Sequence, residues 1–85
     1  MIDSENFKNW LEQNSSLSAN VISDTISRIK RADKIRPWDG ESTYLFYLER
    51  EKPFMSLTVS VRSQVRKAVR LYSAFAEAKK RLESF

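Results

Sequence analysis

Residues 57–83 read LTVSVRSQVRKAVRLYSAFAEAKKRLE, a stretch without glycine or proline that decides the fold. Its apolar residues recur at intervals of three and four, beginning with Val61 and Val65, as on one face of an α-helix. The stripe from Val61 to Ala76 covers about 100° of the helix circumference. We therefore predict a helix over 57–83, with Ser56 or Thr58 as its N-cap.

Two helices are predicted in the first half of the chain by the same spacing. The first covers residues 4–14, and the second covers residues 18–35 with Ser18 as N-cap. The apolar positions that carry these predictions are Phe7, Trp10, Leu11, Ile22, Ile26 and Ile29.

A third helix is predicted between the second helix and the long one. The Asp39-Gly40 turn precedes it, and Pro53 is expected to end it. Tyr44 and its apolar neighbours occupy helical spacings, so we predict a helix over 41–52.

The composition limits the chemistry of the chain. A length of 85 residues suits one domain, and a single glycine leaves little material for the tight turns of a β fold. Without cysteine or histidine there is no disulfide, zinc finger, thiol nucleophile or imidazole base. No acids have a defensible catalytic spacing, and no tyrosine has a visible activating base. We therefore predict one all-α domain of four helices over 1–85, with no active site, metal or cofactor.

The apolar segments are also too short to cross a membrane, because none reaches about 18 uninterrupted residues. Residues 1–14 carry three acids against one lysine, the opposite of the basic start of a signal peptide. We expect a cytoplasmic protein that does not bind a membrane.

The net charge of +4 is unevenly distributed along the chain. Residues 15–38 carry +3 and residues 53–85 carry +5, whereas residues 1–14 and 39–52 carry −2 each. The basic segments coincide with the two longest predicted helices, which indicates a partner of negative charge.

Arginines recur every four residues in the long helix, at Arg62, Arg66 and Arg70. The spacing predicts a row about 12 Å long that is clear of the apolar stripe. No acid lies between Glu51 and Glu77, whereas a merely solvated helix usually interleaves opposite charges. Arginine suits phosphate, and short polar side chains suit base edges. The candidate DNA-binding residues are Arg28, Lys30, Arg31, Lys34, Ser60, Arg62, Ser63, Gln64, Arg66, Lys67 and Arg70.

The order of several short motifs gives a further indication. The motifs are Trp10-Leu11, Leu17-Ser18, Tyr44-Leu45 with Leu48, Ser56 to Val59, and the series Arg62, Val65, Arg66, Ala68, Val69, Arg70, Tyr72 and Phe75. This order resembles the N-terminal core-binding domain of tyrosine recombinases, the phage-type integrases. The chain departs from that family at Val21 and Thr25, where the family often has Thr and Tyr.

The resemblance implies a SAM-like unit of two helical hairpins packed crosswise, whose second and fourth helices face double-stranded DNA. In that family, catalysis belongs to a separate C-terminal domain with an Arg, a His-x-x-Arg motif and a nucleophilic Tyr. A chain without histidine cannot contain that domain, so we expect a DNA-binding module of a site-specific recombinase that is not itself an enzyme. Its partners would be DNA and the catalytic domain of the same full-length protein, and the isolated domain would be monomeric. The alternative is a helical protein–protein interaction domain with a solvated basic face.

Overall fold

Five helices make up the described part of the chain. A computed structural model describes residues 2–83, except for the side chain of residue 83. The helices are α1 (Ser4–Asn14), α2 (Ala19–Ile35), α3 (Tyr44–Leu48), α4 (Lys52–Met55) and α5 (Val59–Glu83). No strand occurs within residues 2–83, which confirms the prediction of an all-α fold. Met1, Ser84 and Phe85, which the sequence assigns to the domain 1–85, lie outside the described residues.

The three longer helices begin at side-chain caps. Asp3, Ser18 and Thr58 each accept a hydrogen bond from the backbone N–H three residues further along. These bonds satisfy N–H groups that have no partner inside the helix. The bounds of α1 are those predicted, and α2 starts one residue later than predicted because its cap is not itself helical. Of the two caps considered for α5, Thr58 is the one used, so that helix begins at Val59 rather than at residue 57.

The prediction of a third helix over 41–52 is wrong, and with it the number of four helices. The chain instead forms the short helices α3 and α4. The N–H groups of Arg50 and Glu51 bond to carbonyls three residues back, which tightens and ends α3. The backbone of Glu51 is then extended, with ψ of 134°. Pro53 lies in the first turn of α4 rather than at the end of α3, a position where its missing N–H has no cost.

The connection between α2 and α3 is held by hydrogen bonds to both helices. The Trp38 N–H donates to the Asp33 carboxylate at 2.9 Å, and the Tyr44 hydroxyl donates to the Arg36 carbonyl at 2.6 Å. Gly40 has φ of +74°, a conformation that glycine adopts without strain. The connection is therefore an ordered turn that fixes where α3 begins.

The core lies where α2 packs against α5, with α1 and the short helices at its edges. Trp38, Phe7 and Phe75 surround Tyr72, with ring centroids 5.0 to 5.4 Å from the Tyr72 ring. The buried side chains are Phe7, Leu11, Ile22, Thr25, Ile29, Ala32, Tyr44, Leu48, Phe54, Val65, Ala68, Val69, Tyr72 and Phe75. Predicted stripe positions that are only partly buried are Trp10, Ile26, Leu45, Val61 and Ala76.

Asp3 joins the start of the chain to α5. Its backbone N–H donates to the Tyr72 hydroxyl at 3.0 Å, and its carboxylate lies 3.3 Å from the Lys79 ammonium. The hydrogen bond from the Asn6 side chain is the main cause that holds the pKa of Asp3 below 3.8, against the opposing effect of partial burial. The N-cap of α1 is therefore also a contact between the first and last helices.

Candidate nucleic-acid interface

The C-terminal half of α2 presents a basic surface. Lys30, Arg31 and Lys34 are exposed, whereas Arg28 is half-buried. Within residues 2–83 none of these side chains makes an ion pair or a hydrogen bond. Cations near the C-terminus of a helix also interact favourably with its dipole. Lys30, Arg31 and Lys34 therefore stay in solvent without a partner among the described residues.

Acids lie beside this surface on α2 itself and on the neighbouring helix α1. Asp24, with Ser27, Arg28 and Arg31, lines a shallow depression on α2. Asp24 precedes the two arginines by four and seven residues, so all three share one side of the helix. The depression is therefore of mixed charge, and Lys30 in turn shares a groove with Glu12 of α1.

The outer face of α5 carries the remaining exposed candidates. Ser60, Ser63, Gln64, Lys67 and Arg70 are all exposed. They fall within about 120° of the helix circumference and thus form one strip. Like the cations of α2, Lys67 and Arg70 make no ion pair or hydrogen bond in the described part of the chain. This strip combines permanent charge with hydroxyl and amide groups.

The three arginines of the predicted row differ in their exposure. Arg70 is exposed, but Arg62 and Arg66 are half-buried rather than clear of the apolar stripe. The reason is Val69, which is buried and widens the stripe. On the helical wheel it lies about 20° from Arg62 and about 60° from Arg66.

Arg66 is held by residues of α3 and α4. Its guanidinium pairs with Glu49 through Nε, and the guanidinium carbon lies 5.6 Å from the centre of the Phe54 ring. The Nε atom of Arg62 is buried and has no hydrogen-bond partner. Arg66 therefore lies at the boundary between α5 and the short helices, Arg62 is half-buried, and neither side chain is wholly available to a ligand.

Sequence reasoning missed three residues of this region. The sequence gives no signal for the pairing of Glu49 with Arg66, nor for the position of Arg36 beside an aromatic ring. The partners Glu49 and Arg66 are 17 residues apart, so no local spacing reveals their contact. The stacking of Arg50 on Phe46 is different, because an interval of four residues on a helix signals a possible contact.

The buried tyrosines have structural roles. The Tyr44 hydroxyl donates to a backbone carbonyl, and the Tyr72 hydroxyl accepts from a backbone N–H. Burial, reinforced by Asp33 and Asp39, raises the pKa of Tyr44 to about 12. An activated nucleophile needs a lowered pKa, so the environment of Tyr44 is the opposite of a catalytic one.

Comparison with protein-family models, with curated proteins and with solved structures finds no match to this chain. In residues 2–83 no cluster of acidic side chains could hold a metal ion. No helix in the described range has the length and apolar character needed to cross a membrane.

Proposed function

We propose that this chain is a DNA-binding module of the core-binding type of tyrosine recombinases, which grips double-stranded DNA through α2 and α5. The observation that carries the proposal is the set of exposed cations without internal partners on these two helices. The candidates in this set are Lys30, Arg31, Lys34, Lys67 and Arg70; Arg81, near the C-terminal end of α5, is also exposed and makes no ion pair or hydrogen bond within residues 2–83. Cations that the fold does not use are available to neutralise phosphates, which supply most of the affinity in non-specific DNA binding.

The proposal assigns a different role to the polar residues of α5. Ser60, Ser63 and Gln64 are short and exposed beside Lys67 and Arg70, so they would contact base edges once the cations hold the backbone. The half-buried arginines Arg28, Arg62 and Arg66 would contribute at the edges of the contact.

We also propose how the helices are arranged towards DNA. The two-hairpin, crosswise arrangement would bring α2 and α5 to one DNA-facing side. Strand cleavage would be done by a separate C-terminal domain of the parent protein. Sequencing the gene beyond the codon for residue 85 checks this directly, since a recombinase continues into a His-x-x-Arg motif and a nucleophilic tyrosine.

The direct test is fluorescence anisotropy with a labelled duplex of arbitrary sequence at low salt. The double variant Lys67→Ala/Arg70→Ala should bind about tenfold or more weakly, because two phosphate contacts are lost. The matched control is Arg50→Ala/Lys52→Ala, which removes two exposed cations outside α2 and α5. The control should bind nearly as well as the unchanged protein.

Far-UV circular dichroism of both double variants shows that the helices remain. Equal loss of binding in the two variants would mean that only net charge matters, and the assignment of α5 would fall. No binding of the unchanged protein at the lowest salt would remove the DNA-binding proposal altogether.

A further inference from the structure

Two large aromatic rings are exposed side by side on α3. Phe46 exposes 51% of its surface and Tyr47 exposes 46%, and their ring centroids are 5.3 Å apart in an edge-to-face arrangement. Met55, at the end of α4, exposes 53%. In so small a domain such rings would normally fill the core, as those of Tyr44 and Phe54 do. Aromatic side chains and Met are enriched where proteins contact other proteins.

An arginine guanidinium lies against each exposed ring. The guanidinium carbon of Arg50 lies 3.4 Å from the centre of the Phe46 ring, and its Nη1 donates to the Phe46 carbonyl at 2.8 Å. Arg36 lies 5.0 Å from the centre of the Tyr47 ring. A guanidinium held in this way is ordered before any ligand arrives, which reduces the entropy lost on binding.

The charges around the rings leave Arg50 without an acidic partner. The two acids of this segment are already bound, Glu49 to Arg66 and Glu51 to Arg36 at 3.6 Å. Arg50 makes no ion pair within residues 2–83, and its only hydrogen bond there uses one of its five N–H donors. An ordered guanidinium with open donors suits a carboxylate, which it can bind with two parallel hydrogen bonds.

The same arrangement argues against nucleic acid at this place. A guanidinium lies on one face of each ring, and the two rings meet edge to face, so a base cannot be sandwiched between them. Phosphate would satisfy Arg50 but would leave the apolar rings without a partner. A peptide with carboxylates beside an apolar side chain satisfies both.

We infer that Phe46, Tyr47 and Arg50 form a docking surface for an acidic segment of another protein. Carboxylates of that segment bind Arg50, and an apolar side chain next to them covers the two rings. The surface lies on α3 and its C-terminal end, outside the cations of α2 and α5, so it does not depend on the proposed DNA binding.

The test is an NMR titration of the isotope-labelled protein with a short synthetic peptide in which Leu and Phe are flanked by Glu residues. Saturable shifts confined to residues 44–55 and Arg36 are expected. A peptide with every Glu replaced by Gln should bind about tenfold more weakly, and one with Ser in place of Leu and Phe should also lose affinity.

The variants Arg50→Gln and Phe46→Ser should each weaken the original peptide about tenfold, with Tyr47→Ser as a second probe of the rings. The matched controls are Lys8→Gln, which removes an exposed cation of α1, and Leu82→Ser, which removes an apolar side chain that is 76% exposed. Both controls should bind the peptide unchanged, and circular dichroism verifies the fold of every variant.

Three outcomes would overturn the inference. The first is the absence of saturable shifts, or equal affinity for the Glu and Gln peptides. The second is self-association of the protein that Phe46→Ser abolishes, which would make a second copy of the chain the occupant. The third is displacement of the peptide by a duplex or single-stranded oligonucleotide through the same residues, which would assign the surface to nucleic acid.

Discussion

Tyr44 shows at the scale of one residue how burial sets a chemical property. Only 1% of its surface is exposed, and its hydroxyl donates to the Arg36 carbonyl. Burial is the largest cause that raises the pKa of Tyr44 from 10.0 to about 12, and the nearby carboxylates of Asp33 and Asp39 add to it against the opposing charge of Arg36. The sequence identifies Tyr44 as apolar-facing, but the hydroxyl's partner is eight residues away in an irregular turn and has no spacing signal.

The raised pKa of Tyr44 predicts a loss of stability at alkaline pH. In the unfolded chain the phenol ionises near pH about 10, whereas the folded protein holds its proton to about pH 12. Between these two pH values the folded protein keeps the Tyr44 proton and the unfolded chain does not. The contribution of this proton to the free energy of unfolding is therefore complete below about pH 10 and falls as the pH rises towards 12. Urea unfolding at a series of pH values should show this fall in the unchanged protein. Tyr44→Phe should lack that component, and identical pH dependence in the two proteins would contradict the prediction.

The helices could be predicted where their signals are local. Asp3 and Ser18 are caps that act on the next turn, and the apolar repeats of α1 and α2 are uninterrupted, so the bounds of both helices agree with the sequence to within one residue. The break between α3 and α4 has no such signal, because glutamate and arginine at 49–51 are good helix formers. Burial of Leu48 and Phe54 against the other helices requires the chain to turn there, and tertiary packing overrides propensity.

Part of the candidate site on α5 could also be predicted from the sequence. The exposed residues Ser63, Lys67 and Arg70 follow from the helical repeat alone. The positions of Arg62 and Arg66 do not, because they depend on which side of α5 the short helices cover. The sequence shows that a cation is near the edge of a stripe, but only the packed structure shows how wide that stripe is.

Because Arg66 is half-buried and Arg70 is exposed, we predict that replacing them has different effects on stability. Arg66→Ala removes the ion pair with Glu49 and the contact with the Phe54 ring, and it should lower the free energy of unfolding by about 1 kcal/mol. Arg70→Ala removes an exposed side chain without partners and should change the stability by less than about 0.5 kcal/mol. Chemical denaturation of both variants checks this difference. An equal effect of the two substitutions would show that the contact of Arg66 with the short helices contributes nothing.

At the scale of the whole molecule, the helices form a flattened body with extents of 40 × 28 × 16 Å. Helices α2 and α5 pack against each other along the core, and each keeps its opposite face in solvent. The basic strips lie on these faces, while Asp3 and its contacts to Tyr72 and Lys79 close α1 onto α5. The sequence predicts which faces are apolar, but the pairing of helices depends on contacts as distant as Asp3 with Lys79.

This shape and charge distribution predict how DNA binding depends on salt. Helices α2 and α5 carry eight candidate cations, of which Lys30, Arg31, Lys34, Lys67 and Arg70 are exposed. One docked orientation should use about four of them. At roughly −0.9 per phosphate contact, the logarithm of affinity should fall with the logarithm of salt concentration with a slope of about −3.6.

Anisotropy titrations of one duplex from low to moderate salt measure this slope, and a second duplex of unrelated sequence should give nearly the same value, since phosphate contacts do not specify sequence. Arg70→Ala should make the slope shallower by about 0.9, because one counterion-releasing contact is lost, while Lys52→Ala should leave it unchanged. A slope near zero would mean that phosphates are not the ligand of these cations. A steep slope that neither Arg70→Ala nor Lys67→Ala alters would argue against the exposed cations of α5 as contacts, since only the charge that meets a phosphate changes the number of counterions released.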